Sequence, residues 1–561
     1  MIALRKFPAV MAVIIAAVVI FSPLAGALLG SGMELNTFGT AFKGISAPLG
    51  KSLGLALISA FVAFMLGAPF AILVERSRSW LRRALWGLAL LVFIVPPYMA
   101  GQAWIVLLGP AGKLSKGIAV LLGAGPRSDD PIALARYAVP DFVYTWPSVG
   151  VVMGGCFFPI VALAVASAYR RTDRRIFESA RLARGMGGVY EIAVHVLIPP
   201  AIGAALLVFA ATLTEFAVPQ LLRVRTVGEA IYEQIQEGDL AAATALSLPL
   251  LPLIVCAGAL GAYVLNRSRV ANMASLEGEV PRFTVRNLSS LNDLLATLVT
   301  LIAVTPGLIF PILSLGWLVA TAKVPAASAL GSHKVLRASG FFETLHGAWG
   351  LAHEDAVRTV LMAGLTATLA VVAAIVLARL ASRAGIAPLL GSLSAGLAVP
   401  APLVGLGLIT LWNGGWGSAV YHSVAIVIFA WLARFLPLAI FLAQSALARV
   451  PRELESAAAL AGSGPFERII AVVLPNAAPG LVAAWLAMYI LSATEFCATL
   501  LVAPPGSPLL APSIVNLMRR GQDSEIAACQ FLLLVVIALP LIPLMLALIV
   551  RSRPGVLKTN P

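Results

Sequence analysis

The chain has 561 residues, of which 60% are hydrophobic and 11% charged, and its mean hydropathy is +0.96. Soluble globular domains carry about 25% charged residues, so this composition excludes a soluble fold and predicts an all-α polytopic membrane protein. The net charge of +14 sits in short loops beside apolar runs, at 75–83, 169–175, 266–269, 378–383 and 551–558; that is the charge asymmetry of membrane topology, not a nucleic-acid footprint.

A spanning helix needs roughly 20 apolar residues, whereas barrel strands alternate over about ten. In chain order, spans are predicted at 7–29, 52–74, 84–108, 146–168, 199–221 and 244–265, then at 294–320, 356–378, 386–412, 418–444, 476–502 and 527–550. The first run begins basic and ends among small residues, as a secretory leader does; its length predicts an uncleaved first span instead. The third span of each set contains prolines, "VPPYM" at 95–99 and "VPAP" at 399–402, which free backbone carbonyls for packing or bending. An N-terminus in the cytoplasm puts every basic loop inside and returns the C-terminus inside. The loops around 30–51, 109–145, 222–243, 321–355 and 503–526 then lie outside.

The two sets of six read as tandem repeats: a first half at 1–266, a polar cytoplasmic linker at 267–293 and a second half at 294–561. Glu178-Ser179-Ala180 returns as Glu455-Ser456-Ala457 after 277 residues (455 − 178), and Thr-Glu-Phe at 214–216 returns at 494–496 after 280 (495 − 215). Val95-Pro96 returns as Val399-Pro400 after 304 (399 − 95). Tandem halves of one orientation predict a two-fold axis along the membrane normal.

Each half carries a polar insert on its inner side, at 177–200 and 454–475. Glu178, Arg181, Leu182 and Gly185 in one, and Glu455, Ala458, Ala459 and Gly462 in the other, recur at helical spacing and predict one shared face. Each insert reads as a short cytoplasmic helix of small residues ended by a glycine of positive φ, followed by a proline that starts the next span. A repeated, exposed inner helix predicts a docking surface for a two-fold partner.

The inserts resemble the "EAA" loops of permease subunits of ATP-binding-cassette importers: E-A-A, three residues, G, about nine residues, I-x-L-P. Ser456-Ala457-Ala458, Gly462 and Leu474-Pro475 keep that spacing, with Glu455 one place early. Glu178, Ser179, Ala180, Gly185 and Gly187 match Glu455, Ser456, Ala457, Gly462 and Gly464, with the proline one residue later. The fused arrangement and the segment 494–518 are similar to iron(III)-type and thiamine-type permeases. The resemblance implies a type I, MetI-like permease of about twelve spans in a bacterial cytoplasmic membrane, coupled through both inserts to two ATPase subunits. It also implies a solute-binding protein outside. No G-x-x-x-x-G-K-[ST] occurs, and "GPAGKLS" at 109–115 lacks the first glycine, so no cofactor is expected in this chain and ATP-Mg belongs to the partner ATPase. Iron(III) is the first expected cargo, with thiamine, polyamine or phosphonate as alternatives. The rival class is an ion-coupled secondary transporter, which has no use for paired docking helices.

Glu215 and Glu495 fall in the fifth span of each half. A charge there costs about 2.5–3.5 kcal/mol on insertion scales and usually faces a bundle interior or water. Two readings stand: an outer gate favouring cations, or glutamates that brace helix packing. His346, His353, Glu354 and Asp355 read as the exposed face of a loop helix, with a metal relay as the alternative. His195 and His422 suggest no partner. Cys156, Cys256, Cys497 and Cys529 lack any C-x-x-C, and no catalytic constellation or metal site is expected.

Overall fold

The computed structural model describes residues 2–30, 45–109, 112, 114–115, 141–172, 174–273, 290–321, 338–413, 417–520 and 523–541. Among these the protein is helical, without a β-strand. In chain order the first set comprises α1 (Ile2–Gly30), α2 (Ser46–Glu75), α3 (Ser79–Leu91), α4 (Pro97–Leu108), α5 (Trp146–Arg171), α6 (Arg174–Leu213), α7 (Ala217–Leu221), α8 (Val227–Glu237), α9 (Leu240–Ser247) and α10 (Leu250–Met273). The second comprises α11 (Ser290–Val304), α12 (Phe310–Ala320), α13 (Ala338–Ala384), α14 (Ala387–Ser392), α15 (Ala401–Trp412), α16 (Ala425–Leu447), α17 (Arg452–Leu460), α18 (Leu474–Thr494), α19 (Cys497–Val502), α20 (Leu510–Arg520) and α21 (Asp523–Ala538).

Nine helical stretches among the described residues are long and apolar enough to cross a membrane, and two further pairs qualify when joined across a bend. The bent pairs are Ser79–Ile94 with Pro97–Leu108, at 93°, and Leu389–Ala398 with Ala401–Trp412, at 99°. These are the predicted third spans, and they are broken rather than straight. In each, a 3₁₀ turn ends at an extended valine, Val95 or Val399, and a new helix starts just after Pro96 or Pro400. Proline disfavours the α region for its predecessor and donates no N–H, which favours a break there. The shorter apolar helix Ser524–Ala538 stands at the predicted twelfth span; 542–550 lie outside the described residues, as do 274–289 of the predicted linker. The chain is thus a multi-pass, all-α membrane protein.

Two compact units form, and they cut across the sequence halves. One contains residues 33–317 and the other residues 1–32 with 318–561. Each unit therefore includes the first helix of the opposite half.

In the unit 33–317, α2 and α5 form the centre. Leu55, Val149, Val152, Met153 and Cys156 are buried there together. The Thr212 hydroxyl donates to Ser59 Oγ at 2.9 Å, and Val227 N–H donates to Ser52 Oγ at 3.0 Å, fastening α6 and α8 to α2. Helix α11 joins this unit: Asn292 Nδ2 donates to Leu73 O at 3.3 Å, and Asp293 pairs with Arg78 at 3.1 Å.

In the other unit, α1 lies against α15, where a Cβ on Gly407 would overlap the carbonyl of Pro23. Inside it, the Trp431 indole donates to Thr499 Oγ1 at 2.9 Å, and the Tyr489 hydroxyl donates to Val536 O at 2.9 Å, both buried.

Candidate functional site

The second insert is built around α17. Pro451 presets the extended entry, and Glu453 and Glu455 fall in the first turn, where the helix dipole favours acids. The helix ends in a Schellman motif: Ser463 N–H donates to Ala458 O at 3.0 Å and Gly462 N–H to Ala459 O at 3.1 Å. Gly462 has φ of 88°, the left-handed region open to glycine. Of the predicted face, Glu455 and Ala458 are half-buried, whereas Ala459 and Gly462 are exposed, as are Ser456, Ala457 and Gly464. Gly464 N–H donates to Glu467 Oε2 at 3.3 Å and opens the next helical turn.

The first insert occupies the start of α6. Glu178 and Ser179 are exposed and Ala180 half-buried. Gly185, at φ 62° and ψ −142°, breaks the helix as predicted, and Gly187 follows it, exposed. The chain folds back so closely that a Cβ on the buried Gly188 would overlap the carbonyl of Ala180. Arg181, Leu182 and Gly185 of the predicted face are exposed, as Glu178 is. The Phe177 ring lies tilted against Tyr169, at the end of α5, with centroids 6.2 Å apart.

The predicted span starts at the prolines do not occur. Pro199 and Pro200 lie inside α6, and Pro475 follows helical residues that begin at Pro465. A π-turn, Ile469–Val473, precedes Pro475 and widens the helix where the proline ring would clash.

Among the described residues, the most exposed large apolar side chains are Leu460, at 91%, and Leu182, at 90%, one in each insert. Tyr190, Phe466 and Ile470 are exposed beside them.

Two ion pairs missing from the sequence reading adjoin the inserts. Arg379, near the end of α13, donates from Nη2 to Glu455 Oε1. This hydrogen bond, with Arg383 and Arg468 nearby, holds the Glu455 carboxyl below the usual range. Glu75, at the end of α2, is bound by Arg170, whose Nε donates to Oε2 at 2.9 Å and whose Nη2 donates to Oε1. The Trp86 indole also donates to Glu75 Oε1, at 2.8 Å. Glu75 and Arg379 are 304 residues apart (379 − 75), the same offset as the two valine–proline bends. That offset was the signal that could have found them.

Glu215 and Glu495 lie just beyond helices α6 and α18, at a break, not inside a continuous span. The helix stops at Leu213 or Thr494, and a short helix follows. The Glu495 carboxylate accepts from Ala498 N–H and Thr499 N–H, each at 2.9 Å, and from the Thr499 hydroxyl. Arg434 Nη1 pairs with it at 2.8 Å, and the Glu495 side chain is 2% exposed. Glu215 is half-buried and accepts from Ala217 N–H at 3.0 Å. At the offset of 280 residues, the place of Arg434 falls on Gly154.

His346, His353, Glu354 and Asp355 stand on α13. Asp355 Oδ2 accepts from Ser513 Oγ at 2.6 Å, and His353 Nδ1 lies 3.1 Å from Trp349 O. His195 contacts Glu191 O at 2.8 Å, and His422 meets Tyr421 edge to face, with ring centroids 5.2 Å apart. Among the described residues, no three His, Cys, Asp or Glu side chains are grouped to hold a metal.

Residues 370–558 match the family model described as binding-protein-dependent transport system inner membrane component. The chain is 26% identical over 207 residues to the molybdenum transport system permease protein ModB of Azotobacter vinelandii, covering 35% of this chain and 84% of that one. It is 30% identical over 166 residues to the putative 2-aminoethylphosphonate transport system permease protein PhnV of Salmonella paratyphi A, spanning 28% of this chain and 58% of the relative's length. Over 491 residues, 86% of each chain, it is 23% identical to the Fe(3+)-transport system permease protein FbpB 2 of Haemophilus influenzae.

Proposed function

We propose, from the premise that residues 370–558 belong to the binding-protein-dependent transport system inner membrane components, that the whole chain is the fused permease subunit of an ATP-driven importer. The observation that carries the reading is the pair of inserts. Each presents a nearly fully exposed leucine, Leu182 or Leu460, on a short helix ended by a left-handed glycine. Exposed apolar side chains on a polar protrusion are what a partner's pocket covers. Each insert accordingly docks on one ATPase subunit, through the surface around Glu178, Ser179, Ala180, Gly185 and Gly187 in one half and Glu455, Ser456, Ala457, Ala458, Gly462 and Gly464 in the other. ATP-Mg is bound and hydrolysed there, not in this chain. A solute-binding protein delivers cargo on the opposite side of a bacterial cytoplasmic membrane, with both termini cytoplasmic.

Iron(III) is the proposed cargo. Its support is the relative whose match runs through both halves, named for Fe(3+) transport. Relatives named for molybdenum, 2-aminoethylphosphonate and putrescine transport match shorter stretches. Glu495 enters as a brace between α16 and the helix break, and Glu215, half-buried at the corresponding break, is proposed to line the cargo path.

The test is reconstitution in vesicles with a separate ATPase and a secreted binding protein. Uptake that requires both is the expected result. Uptake driven by an ion gradient without any ATPase would overturn the reading in favour of a secondary transporter.

A further inference from the structure

We propose that the insert-side ends of the two second spans, α2 and α13, are joined to the inserts by ion pairs of opposite polarity, Glu75–Arg170 and Arg379–Glu455, and that these pairs pass insert movement to the spans. The inference rests on the importer reading and names the residues through which its two halves are coupled.

Four observations converge. Glu75 and Arg379 occupy repeat-equivalent positions, by the offset that relates the bends at Val95 and Val399. Arg379 pairs with a residue of its insert, and Glu75 with the end of the helix that leads into its insert at 177–200. Glu455 lies in α17, and Arg170 stands at the end of α5, four residues before α6 begins. Each pair links segments far apart in sequence, by 95 and 76 residues. The sign is reversed between the halves: the second span supplies the acid in one pair and the guanidinium in the other.

The two joints differ in tightness. Glu75 is 2% exposed in its side chain and receives two guanidinium bonds and an indole bond, with the Arg170 guanidinium 5.8 Å from the Trp86 ring centroid. A bidentate, fully satisfied pair has one geometry and moves as a unit. Arg379 and Glu455 are 20% and 27% exposed, share a single bond, and leave Arg379 Nε without a hydrogen-bond partner among the described residues. The first joint is rigid and the second yields. Stability alone does not account for them, because an apolar pair of equal volume usually stabilises at least as well as a buried ion pair. A charge pair adds a directional link, and the rigid rise of an α-helix carries its displacement along the span.

The experiment uses the reconstituted full chain and the variants R379A, R379E and R379E/E455R. Solute moved per ATP hydrolysed is measured beside retention of the ATPase subunits. The two single Arg379 variants should keep the ATPase bound yet lose about fivefold in solute per ATP, the scale of one partly exposed ion pair. The double variant should recover most of it. Single variants that match wild type, or a swap that restores nothing while the ATPase stays bound, would overturn the proposal. A wild-type chain that moves no solute with any ATPase sinks the importer reading instead. The joint is then read on the chain alone, from a spin label at Ser456→Cys in a Cys256→Ser background, the other three cysteines being buried. R379A should mobilise that label and R379E/E455R should not; a label indifferent to both overturns the joint.

Discussion

At the scale of single residues, Glu495 is the plainest case of a residue type whose role the sequence leaves open. A glutamate near the end of an apolar run suits a cation path and a packing brace equally well. What decides is the company it keeps: Arg434 comes from α16, 61 residues away, and two backbone N–H groups come from the start of α19. Neither is visible as a motif. Replacing Glu495 with Gln leaves Arg434 facing a neutral amide in a largely buried site. The expected loss is about 3 kcal/mol, the low end for breaking a buried pair because Arg434 keeps some access to water. A thermal melt in detergent measures it, and the double variant R434M/E495L should recover much of the loss. An E495Q protein that melts like wild type yet transports nothing would return the residue to the cargo path. Glu229 offers a second test, through pH. Partial burial and the neighbouring Glu233 push its carboxyl up to about 7, against the opposing pull of Arg225 and Lys51. The folded state therefore holds a proton that the unfolded state has released between the ordinary value of 4.5 and about 7. Stability should fall as pH rises through that window. Glu229→Gln should remove the dependence and stabilise the protein at pH 8 by roughly 1 kcal/mol, after allowance for solvent screening at this half-buried site.

At the scale of elements, apolar runs, basic loops and glycines marked most of the architecture. The spans are legible because a lipid-facing helix must be apolar along a full crossing. The insert ends are legible because a left-handed terminus selects glycine, and both Gly185 and Gly462 have positive φ. Replacing Gly462 with alanine should cost about 1–2 kcal/mol at that terminus and redirect Leu460, while Asn is better tolerated. Circular dichroism should barely change, whereas co-purification with the ATPase should weaken; unchanged co-purification would show that the Schellman turn does not aim the docking surface. Prolines were harder to read. The same residue breaks a helix by 93° after Val95 and is absorbed inside one at Pro199–Pro200. Helix α6 accordingly continues through a point where a loop-to-span boundary was predicted.

At the scale of the whole molecule, the tandem repeat is legible and the assignment of helices to compact units is not. Repetition is a local match between segments, but which apolar helix covers which depends on long-range packing between surfaces of nearly identical composition. Helix α1 belongs with residues 318–561, and α11 belongs with residues 33–317. The contact that seats α1 is steric: a side chain on Gly407 would occupy the carbonyl of Pro23, and Gly26 approaches the Gly407 carbonyl from the other side. Gly407→Leu should therefore expel α1 and lower the melting temperature, with Gly50→Ala, where a Cβ meets nothing within 4 Å, as the neutral control. The same logic makes a sharper prediction about cutting the chain. A fragment of residues 1–266 keeps α1, which packs in the other unit, and lacks α11, which packs in its own. A fragment of residues 267–561 has the opposite defect. Expressed singly, each leaves an apolar helix uncovered and a helix-sized gap unfilled, and each should be degraded or aggregate. Expressed together, each supplies what the other lacks, and a stable pair should co-purify through a tag on either. If both fragments accumulate singly as monodisperse species, each half closes on itself and the exchanged first helices contribute nothing to its stability.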